Sequence, residues 1–555
     1  MILKGRAKFC GFIGIVIAVI IAGKLFYLQT IKHEELSRIT HDRVFRTVSQ
    51  DVLRGSFLDR NGNVLAESIR SYTIAISKKY IKDKDKVFSI LETALKGVTK
   101  KELNKLWKEK GNFFYIKKAV MPDEYEILKY ALQKERITGI EIAPMYTRLR
   151  PYNDMAIDLL GYTNSKNMGL SGLELYYNEE LVKKIKKKKV KKSRKGNIIY
   201  DATADKTEPT IDIHLTIDTD IQYYAEKILN KYTDINEADG GVLLVQDTKT
   251  AEILALASNP KTNGQAMAFQ WTYEPGSTFK AITFAAALDT NTIKITDSIQ
   301  CEKEGKWEVT PGVFVRDVHK AEHGYLTVPE VLSESSNIGA GKIALKMDSK
   351  DFYEYIKAFG FGIKTAISFP AEPNGILRSW KKWYKIDKAT LAFGHGLSVT
   401  PIQLITAYTA IANGGTLMQP YIVSKITNHK GRVIEKNKPT KIRKVISPST
   451  AELMKILLIK VVEGGTGVQA KIEGYSTAGK TGTSEKFLQG KYSEKHHTVS
   501  FAGFVPAEKP RYTVLVILDN PKTTSYASQS ASPAFRDMAS AVLNLESVPQ
   551  DQQVL

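Results

Sequence analysis

A serine and a lysine three residues apart are the clearest chemical feature of the chain. Ser277 and Lys280 follow the Pro275-Gly276 pair, and residues 281–288 form an uncharged, mostly apolar run. This pattern predicts a buried helix that begins near Ser277. Residues three apart share one face of a helix, and the first turn of a helix favours developing negative charge. The segment therefore predicts an activated serine nucleophile with a lysine as its base.

The spacing alone is not specific, because Ser258…Lys261 and Ser379…Lys382 have it too. A proline interrupts the first of these pairs, and the second lies in a polar stretch without an apolar helix behind it. The alternative for Ser277 itself is an ordinary helix start with a solvated lysine, since short motifs often occur by chance. Context favours Ser277 as the functional serine.

Two later motifs complete a recognisable set. Ser335-Ser336-Asn337 lies between two helical stretches, and Lys480-Thr481-Gly482-Thr483 opens a segment with the character of a strand. Residues 500–505 and 512–518 have the same character, so the three segments suit one antiparallel sheet. A Ser-x-x-Lys, a Ser-x-Asn and a Lys-Thr-Gly motif in this order resemble the set found in penicillin-binding proteins and class A β-lactamases.

The N-terminal segment predicts the compartment. Residues 9–23 are uncharged, Lys24 interrupts, and residues 25–28 continue the apolar run to about the 20 residues that cross a bilayer. Lys4, Arg6 and Lys8 precede the run, so the positive-inside rule predicts a cytoplasmic N-terminus. We expect an uncleaved anchor rather than a cleaved signal peptide, because apolar residues continue past Lys24.

Composition and net charge limit the classes of partner that suit this chain. The 555 residues predict two or three domains, and the net charge of +21 suits an anionic surface such as a membrane or a cell envelope. Export makes nucleic acid an unsuitable partner. Two cysteines, Cys10 and Cys301, exclude a disulfide framework and leave the redox compartment open.

The remaining segments predict local structure. Asn61-Gly62 predicts a hairpin, and the apolar spacing between residues 87 and 134 predicts helices. The basic run Lys183–Lys195 predicts a solvated, mobile loop and marks a domain boundary. Residues 215–222 lead from a strand into a helix, and residues 241–246 and 252–258 read as two strands joined by a turn.

Two histidine patterns suggest other chemistry. His319…His323 fits the H-x-x-E-H zinc pattern, but that pattern requires a helix and the flanking residues look extended. Gly394-His395-Gly396 predicts a backbone turn rather than a catalytic histidine, because no aspartate or serine motif accompanies it. We therefore expect no metal site and no cofactor.

Beyond the three motifs, the chain resembles class B penicillin-binding proteins along nearly its whole length after the anchor. The segments that carry this resemblance are Arg54-Gly55, Asp59-Arg60-Asn61-Gly62, Arg150-x-Tyr152, Leu160-Gly161-Tyr162, Gly172-Leu173-Glu174, Leu215-Thr216-Ile217-Asp218, Phe359-Gly360-Phe361-Gly362, Thr400-Pro401-x-Gln403 and Asn413-Gly414-Gly415. The chain departs from the family in having alanine, at Ala251 and Ala366, where glycine is common. It also lacks an evident Arg-Asn element between Lys261 and Trp271, and the basic run replaces a turn that usually contains glycine.

The resemblance implies a membrane-anchored, multidomain α+β protein. Its parts would be a cytoplasmic N-terminus (1–8), a transmembrane anchor (9–28), an elongated α+β pedestal domain of the dimerisation type (29–205), a transpeptidase domain with an antiparallel sheet flanked by helices (210–545) and a tail (546–555). The protein would sit in the plasma membrane as a single-pass protein with most of the chain outside the cytoplasm.

The resemblance also implies the roles of the site residues. Ser277 would be the nucleophile and Lys280 its base, helped by the neighbouring cation Lys480. Ser335 and Asn337 would relay the leaving-group proton and hold the peptide amide. The backbone N–H groups of Ser277 and Thr483 would form the oxyanion hole. The substrate strand would contact Thr481, Gly482 and Thr483.

The activity implied is peptidoglycan D,D-transpeptidation through an acyl-enzyme, inhibited by β-lactams. Glu274-Pro275-Gly276-Ser277, the Ser-x-Asn form and Lys-Thr-Gly-Thr resemble the division (septal) subgroup, with an elongation-type enzyme as the alternative. Partners would be stem peptides, β-lactams, a SEDS-type glycosyltransferase and division-complex proteins. Alternatives of another class are a β-lactamase, which would need a water-activating group that we cannot place, and a non-catalytic β-lactam sensor or scaffold.

Overall fold

A computed structural model describes residues 2–37, 45–49, 53–182, 187–192, 198–199, 211–261, 265–317, 323–488 and 490–552. The N-terminal elements in chain order are α1 (Ile2–Phe26), β1 (Phe45–Ser49), β2 (Phe57–Leu58), β3 (Val64–Ser77), α2 (Lys84–Ala94), α3 (Lys100–Glu109), β4 (Phe113–Val120), α4 (Pro122–Lys134), β5 (Ile140–Leu149), α5 (Ile157–Leu160), α6 (Gly172–Tyr176), α7 (Asn178–Leu181), β6 (Lys187–Lys192) and β7 (Ile198–Ile199).

The middle elements are β8 (Ile211–Leu215), α8 (Thr219–Ile235), β9 (Gly240–Asp247), β10 (Ile253–Asn259), α9 (Met267–Gln270), α10 (Lys280–Asp289), β11 (Ser298–Glu302), β12 (Lys306–Thr310), β13 (Val313–Arg316), β14 (Gly324–Thr327), α11 (Val328–Ser333), α12 (Asn337–Lys346) and α13 (Ser349–Ala358). The C-terminal elements are α14 (Lys385–Leu391), α15 (Pro401–Ala412), β15 (Thr416–Met418), β16 (Val423–Asn428), β17 (Val433–Lys436), β18 (Lys441–Lys444), α16 (Pro448–Gly464), β19 (Ala478–Leu488), β20 (Lys491–Val505), β21 (Tyr512–Asp519) and α17 (Ala531–Leu545).

The chain divides into two compact units. The first contains Met1–Leu53, Arg70–Thr147 and Lys183–Glu208, and the second contains Arg54–Ile69, Arg148–Val182 and Pro209–Leu555. Two segments from within the predicted pedestal, 54–69 and 148–182, thus pack with the C-terminal part of the chain.

The first unit begins with the apolar helix. Residues Lys8–Ile31 are long and apolar enough to cross a membrane by length and composition. Farther along, the second half of β3 pairs with β4 and with β5, and α2, α3 and α4 contribute to one apolar core with these strands. Thr99 and Glu102 cap α3 reciprocally, which satisfies backbone N–H groups at its start.

Two predictions about this unit are wrong in part. The helical pattern predicted from 87 to 134 is broken by β4, because Phe113 to Val120 form an edge strand paired with β3. The basic run is not a loop throughout, since residues 187–192 form β6, which pairs with β1 and β7. Residues 183–186 and 193–195 of the run lie outside the described residues.

The second unit is built on a five-stranded antiparallel sheet in the order β10-β9-β21-β20-β19. Alternate side chains of β9 point to opposite faces: Leu244 belongs to the apolar core that contains α10 and α15, and Leu243 belongs to the core that contains α8 and α17. The sheet therefore lies between two helical layers. The predicted antiparallel arrangement of the three C-terminal strands is confirmed, and β19 is the edge strand beside the motif-bearing turns.

Helix α10 is buried on every side, from Lys280 to Leu288. A helix that is apolar all round belongs in the centre of a large domain, and α15 beside it is buried along its whole length as well. Because α10 is buried on every side, Lys280 at its start is shielded from solvent.

The hairpin predicted from Asn61-Gly62 is confirmed. Asn61-Gly62 makes the turn between β2 and β3, with Gly62 at φ +91°. Ala251 and Ala366 have φ values of +64° and +61°, the left-handed region that glycine tolerates best, which is consistent with glycine being common there in the resembling family.

A buried ion cluster ties two early segments of the second unit together. The Glu174 carboxylate accepts from Arg54 Nε at 2.5 Å and from Arg148 Nε at 2.7 Å, and the side chains of all three are at most 3% exposed. Arg54 also donates to the Asn178 side chain at 2.8 Å. Removing the carboxylate would leave two buried guanidinium groups without their counter-charge.

We expect Glu174→Gln to lower the free energy of unfolding by about 3–5 kcal/mol, the usual effect of breaking a buried ion pair. The measurement is urea unfolding of the detergent-solubilised protein. The matched control is Glu126→Gln, because Glu126 pairs with Lys129 on an exposed helix face at 3.3 Å and such pairs contribute about 0–1 kcal/mol. Equal effects of the two substitutions would contradict the structural role of the cluster.

Candidate active site

The predicted nucleophile lies at the start of the central buried helix. Ser277 belongs to a 3₁₀ turn, Gly276–Phe279, that runs directly into α10. Its Oγ lies 3.0 Å from Lys280 Nζ, so the two side chains share one face as the spacing predicts. Gly276 is required here, because its φ is +57° and a Cβ would come within 2.6 Å of the Thr483 carbonyl oxygen.

Lys280 is completely buried and surrounded by uncharged oxygen atoms. Besides Ser277, its amino group contacts the Ser335 carbonyl at 2.5 Å, Ser335 Oγ at 3.1 Å and Asn337 Oδ1 at 2.8 Å. Burial lowers the pKa of Lys280 to about 7, although Asp317 and Cys301 act in the opposite direction. An amine with this pKa is available as a base near neutral pH.

The second motif lies in the turn between α11 and α12. Ser335 has a φ of +60°, an uncommon value for a residue with a side chain, and Asn337 is the first residue of α12. Ser336 caps α12 by accepting from the Gly339 N–H at 2.9 Å. Ser335 and Asn337 therefore face Lys280, while Ser336 between them faces the helix.

The third motif lies on the edge strand β19. Lys480 is completely buried, and its Nζ donates to Thr481 Oγ1 at 3.1 Å and to Thr466 Oγ1 at 3.3 Å. Burial first, and the charge of Lys280 second, hold the pKa of Lys480 well below its ordinary value, whereas Glu334 raises it. Among the described residues, the hydrogen-bond acceptors of Lys480 are all uncharged.

Gly482 and Thr483 lie where the edge strand meets the serine turn. A Cβ on Gly482 would come within 2.8 Å of the Thr278 side chain and 2.9 Å of the Pro275 carbonyl oxygen. Thr483 is half-buried and its carbonyl lies against Gly276. The fold thus brings together eight residues that the sequence predicts for the site: Ser277, Lys280, Ser335, Asn337, Lys480, Thr481, Gly482 and Thr483.

A further turn packs against the serine segment. Gly394 and Gly396 have φ values of +84° and +79°, which confirms the predicted backbone turn, and a Cβ on Gly394 would lie 2.2 Å from the Gly276 carbonyl oxygen. Glu274 accepts from the Gly396 N–H at 3.0 Å and from the Tyr492 hydroxyl at 3.1 Å. These contacts hold the segment before Ser277 between the turn and the β19–β20 hairpin.

His395 within this turn is close enough to the site to be affected by it. Its ring stacks on Tyr492 with centroids 5.6 Å apart, and burial together with the charge of Lys280 lowers its pKa to about 4. The imidazole is therefore neutral at physiological pH, and its interactions are those of packing.

Sequence analysis missed four residues of the site region: Glu274, Asp317, Thr466 and Tyr492. Glu274 was visible only as part of the serine segment, and Thr466 only as the polar residue of a glycine-rich turn. Asp317 and Tyr492 have no local pattern, since their partners are 20 and 218 residues away in the chain.

Of the competing patterns, one serine–lysine pair lacks a buried helix, and the histidine pattern is only partly described. Ser379 precedes a short 3₁₀ turn, Trp380–Lys382, rather than a buried helix. Residues 318–322 of the histidine pattern lie outside the described residues. Among the residues that are described, no group of three or more histidine, cysteine, aspartate or glutamate side chains could hold a metal ion.

Two family models match the chain. Residues 241–540 match the penicillin-binding protein transpeptidase domain, and residues 49–215 match the penicillin-binding protein dimerisation domain. The first match alone covers more than half of the chain.

Individual relatives agree along nearly the whole length. Stage V sporulation protein D of Bacillus subtilis is 32% identical over 549 residues, which covers 96% of this chain and 84% of that protein. Peptidoglycan D,D-transpeptidase FtsI of Escherichia coli K12 is 28% identical, covering 98% and 92%. The crystal structure of penicillin-binding protein 3 from Mycobacterium tuberculosis with aztreonam superposes with a TM-score of 0.69 at 25% identity, covering 92% and 99%. The chain is therefore a class B penicillin-binding protein, a serine-type peptidoglycan D,D-transpeptidase.

Proposed function

We propose that Ser277 is the nucleophile of this transpeptidase and that Lys280 in its neutral form is the base. The observation that carries the proposal is the 3.0 Å separation of Ser277 Oγ and Lys280 Nζ in a pocket where burial lowers the lysine pKa to about 7. A serine hydroxyl is a poor nucleophile at neutral pH, so an adjacent unprotonated amine is the group that it needs.

In the acylation step, Ser277 Oγ attacks the carbonyl carbon of the penultimate D-Ala of a stem peptide. As the C–O bond forms, the hydroxyl proton passes to Lys280 Nζ, and the carbonyl oxygen takes up negative charge. The backbone N–H groups of Ser277 and Thr483 stabilise that oxyanion; losing one such donor costs about 3 kcal/mol of barrier. Collapse breaks the peptide C–N bond, and the terminal D-Ala leaves with the proton that Lys280 took from Ser277, relayed through Ser335, so that Lys280 is neutral again.

In the second step, the amine of another stem peptide attacks the ester carbonyl. Its proton passes to the same relay, the bond to Ser277 Oγ breaks, and the hydroxyl regains a proton from Lys280. Asn337 holds the peptide amide of the donor strand through both steps. The half-buried positions of Ser335 and Asn337 support these roles, because both contact Lys280 and both remain partly accessible.

Recognition of the terminal carboxylate is assigned to Lys480, Thr481 and Thr483. Lys480 is buried with only hydroxyl and carbonyl acceptors, and a substrate carboxylate beside it would favour its charged form by supplying a counter-charge. Gly482 has no side chain, so β19 can lie directly against the serine turn, where a Cβ would come within 2.8 Å of the Thr278 side chain. A β-lactam presents the same carboxylate and acylates Ser277 in the same way.

We further propose that the protein acts in septal wall synthesis. The support is the form of its motifs, Glu274-Pro275-Gly276-Ser277, Ser335-x-Asn337 and Lys480-Thr481-Gly482-Thr483. The N-terminal helix anchors the chain in the plasma membrane with its N-terminus in the cytoplasm, and residues 29–205 and 210–545 act outside as pedestal and transpeptidase domain. A SEDS-type glycosyltransferase and division-complex proteins would supply and organise the nascent strands.

We expect Ser277→Ala to abolish labelling by fluorescent penicillin while the thermal unfolding transition is retained, because the substitution removes the atom that is acylated. The measurement is in-gel fluorescence of the solubilised protein. Ser379→Ala is the matched control, since this serine has the same spacing to a lysine but no buried helix, and it should label as the wild type does. Persistent labelling of Ser277→Ala would contradict the assignment of the nucleophile.

Depletion in the native organism, followed by microscopy, tests the septal role. We expect cells to grow into filaments, because septal cross-linking would stop while elongation continues. Rounded cells would identify an elongation enzyme instead. Normal growth with a defect confined to sporulation would also contradict the proposal and align the chain with its Bacillus subtilis relative.

A further inference from the structure

A buried carboxylate accepts hydrogen bonds from the Ser335–Asn337 turn. Asp317 directly follows β13 and is 7% exposed. Its Oδ1 accepts from the backbone N–H groups of Asn337 at 2.5 Å and Ile338 at 3.0 Å, and its Oδ2 accepts from Ser336 Oγ at 2.7 Å. The first N–H groups of a helix have no partner within the helix, so this carboxylate satisfies two of them at the start of α12.

The residue before it fixes the side chain of Asn337. The Arg316 carbonyl accepts from Asn337 Nδ2 at 3.1 Å, and this leaves Asn337 Oδ1 directed at Lys280 Nζ, 2.8 Å away. The Arg316 carbonyl therefore determines which atom of the amide faces the base, and Asp317 holds the backbone of Asn337.

The turn needs such support because its backbone is strained. A non-glycine residue at a φ of +60°, as in Ser335, is unfavourable and persists only where neighbouring contacts impose it. Ser336 and Asn337 directly follow the strained residue, and Asp317 accepts hydrogen bonds from both of them.

Asp317 also supplies negative charge to the pocket. The ionisable groups that face Lys280 are Asp317, Cys301, Lys480 and His395. Burial raises the pKa of the Cys301 thiol, so this group is neutral at physiological pH. The Asp317 carboxylate is then the anion that favours the protonated form of Lys280, while Glu334 acts on Lys480.

We propose that Asp317 is a positioning residue of the transpeptidase, whose carboxylate holds the Ser335–Asn337 turn against Lys280 and whose charge sets the pH range in which Lys280 acts as a base. The inference rests on the proposed role of Lys280 in acylation. It assigns Asp317 no contact with the substrate.

The test measures the acylation rate constant with fluorescent penicillin as a function of pH, using the full-length, detergent-solubilised protein. The wild-type rate should rise with pH, pass through half its maximum near pH 7 and level off at higher pH, since the neutral amine of Lys280 is the active form. Asp317→Asn keeps the size of the side chain and one acceptor oxygen but removes the charge. Its midpoint should move to lower pH, because Lys280 then loses its proton more readily, and its maximum rate should fall at least about tenfold because the turn is held less well.

Two further variants separate charge from geometry. Asp317→Glu keeps the charge but moves the carboxylate, so its midpoint should stay near that of the wild type while its maximum rate falls. Asp348→Asn is the matched control: Asp348 caps α13 by accepting from the Lys350 and Asp351 N–H groups at 2.8 and 3.2 Å, away from the site. Its profile should match that of the wild type.

A midpoint for Asp317→Asn equal to that of the wild type would overturn the proposal, even if the rate fell, because a merely structural residue would behave in that way. Should Asp317→Asn fail to fold, a wild-type maximum rate in Asp317→Glu would overturn it instead. If the proposed function itself is wrong, the result will be different: the wild-type protein will not be acylated at Ser277, or its acylation rate will have no inflection near pH 7.

Discussion

Two lysine side chains buried in one pocket are the constraint on which the site depends. Lys280 and Lys480 are both completely buried, and transferring a charge from water into a protein interior is costly unless the charge is paired. The hydrogen-bond acceptors around Lys280 are hydroxyl, carbonyl and amide oxygens, which stabilise an ammonium only partly. Loss of a proton from the amine removes a buried charge and so lowers the free energy of the folded protein. A neutral amine beside a serine is the base that acyl transfer requires.

The fold maintains this unfavourable burial through the packing of α10. The helix is enclosed on all sides, and its first residue, Lys280, has no path to solvent. The 3₁₀ turn before it places Ser277 at the accessible end, beside the open edge of β19. The same element thus buries the base and leaves the nucleophile accessible. The glycines at 276, 394 and 482 let three backbone segments approach one another without side chains between them. The strained turn at Ser335 is a second place where local stability is given up for geometry.

Much of the site could be predicted from the sequence because each of its motifs is local. Ser277 and Lys280 are one turn apart, and the apolar run after them needs no tertiary information to be recognised as a buried helix. The antiparallel relation of the C-terminal strands followed from their alternating residues. The strand β4 was missed because its apolar residues lie between two helices with similar spacing, and its pairing partner in β3 is about 40 residues earlier in the chain.

The residues that sequence analysis did not find share one physical property. Asp317, Thr466 and Tyr492 act on the site through contacts that exist only after folding, and no spacing or composition around them differs from that of a surface loop. The sequence also does not show that β9 and β10 belong to the same sheet as β19. This arrangement depends on the pairing of β9 with β21, some 270 residues later in the chain. Local patterns therefore predict which groups react, and long-range contacts determine how those groups are held.

The most direct test of this account is an NMR titration of Lys280 in the detergent-solubilised protein, with ¹³C at the ε-carbon of lysine and the Lys280→Arg variant to assign the resonance. A midpoint near 7 is predicted, because burial without a full counter-charge favours the neutral amine. A midpoint at the ordinary lysine value of about 10.4 would contradict the account, since Lys280 would then be protonated at neutral pH and could not take the proton of Ser277.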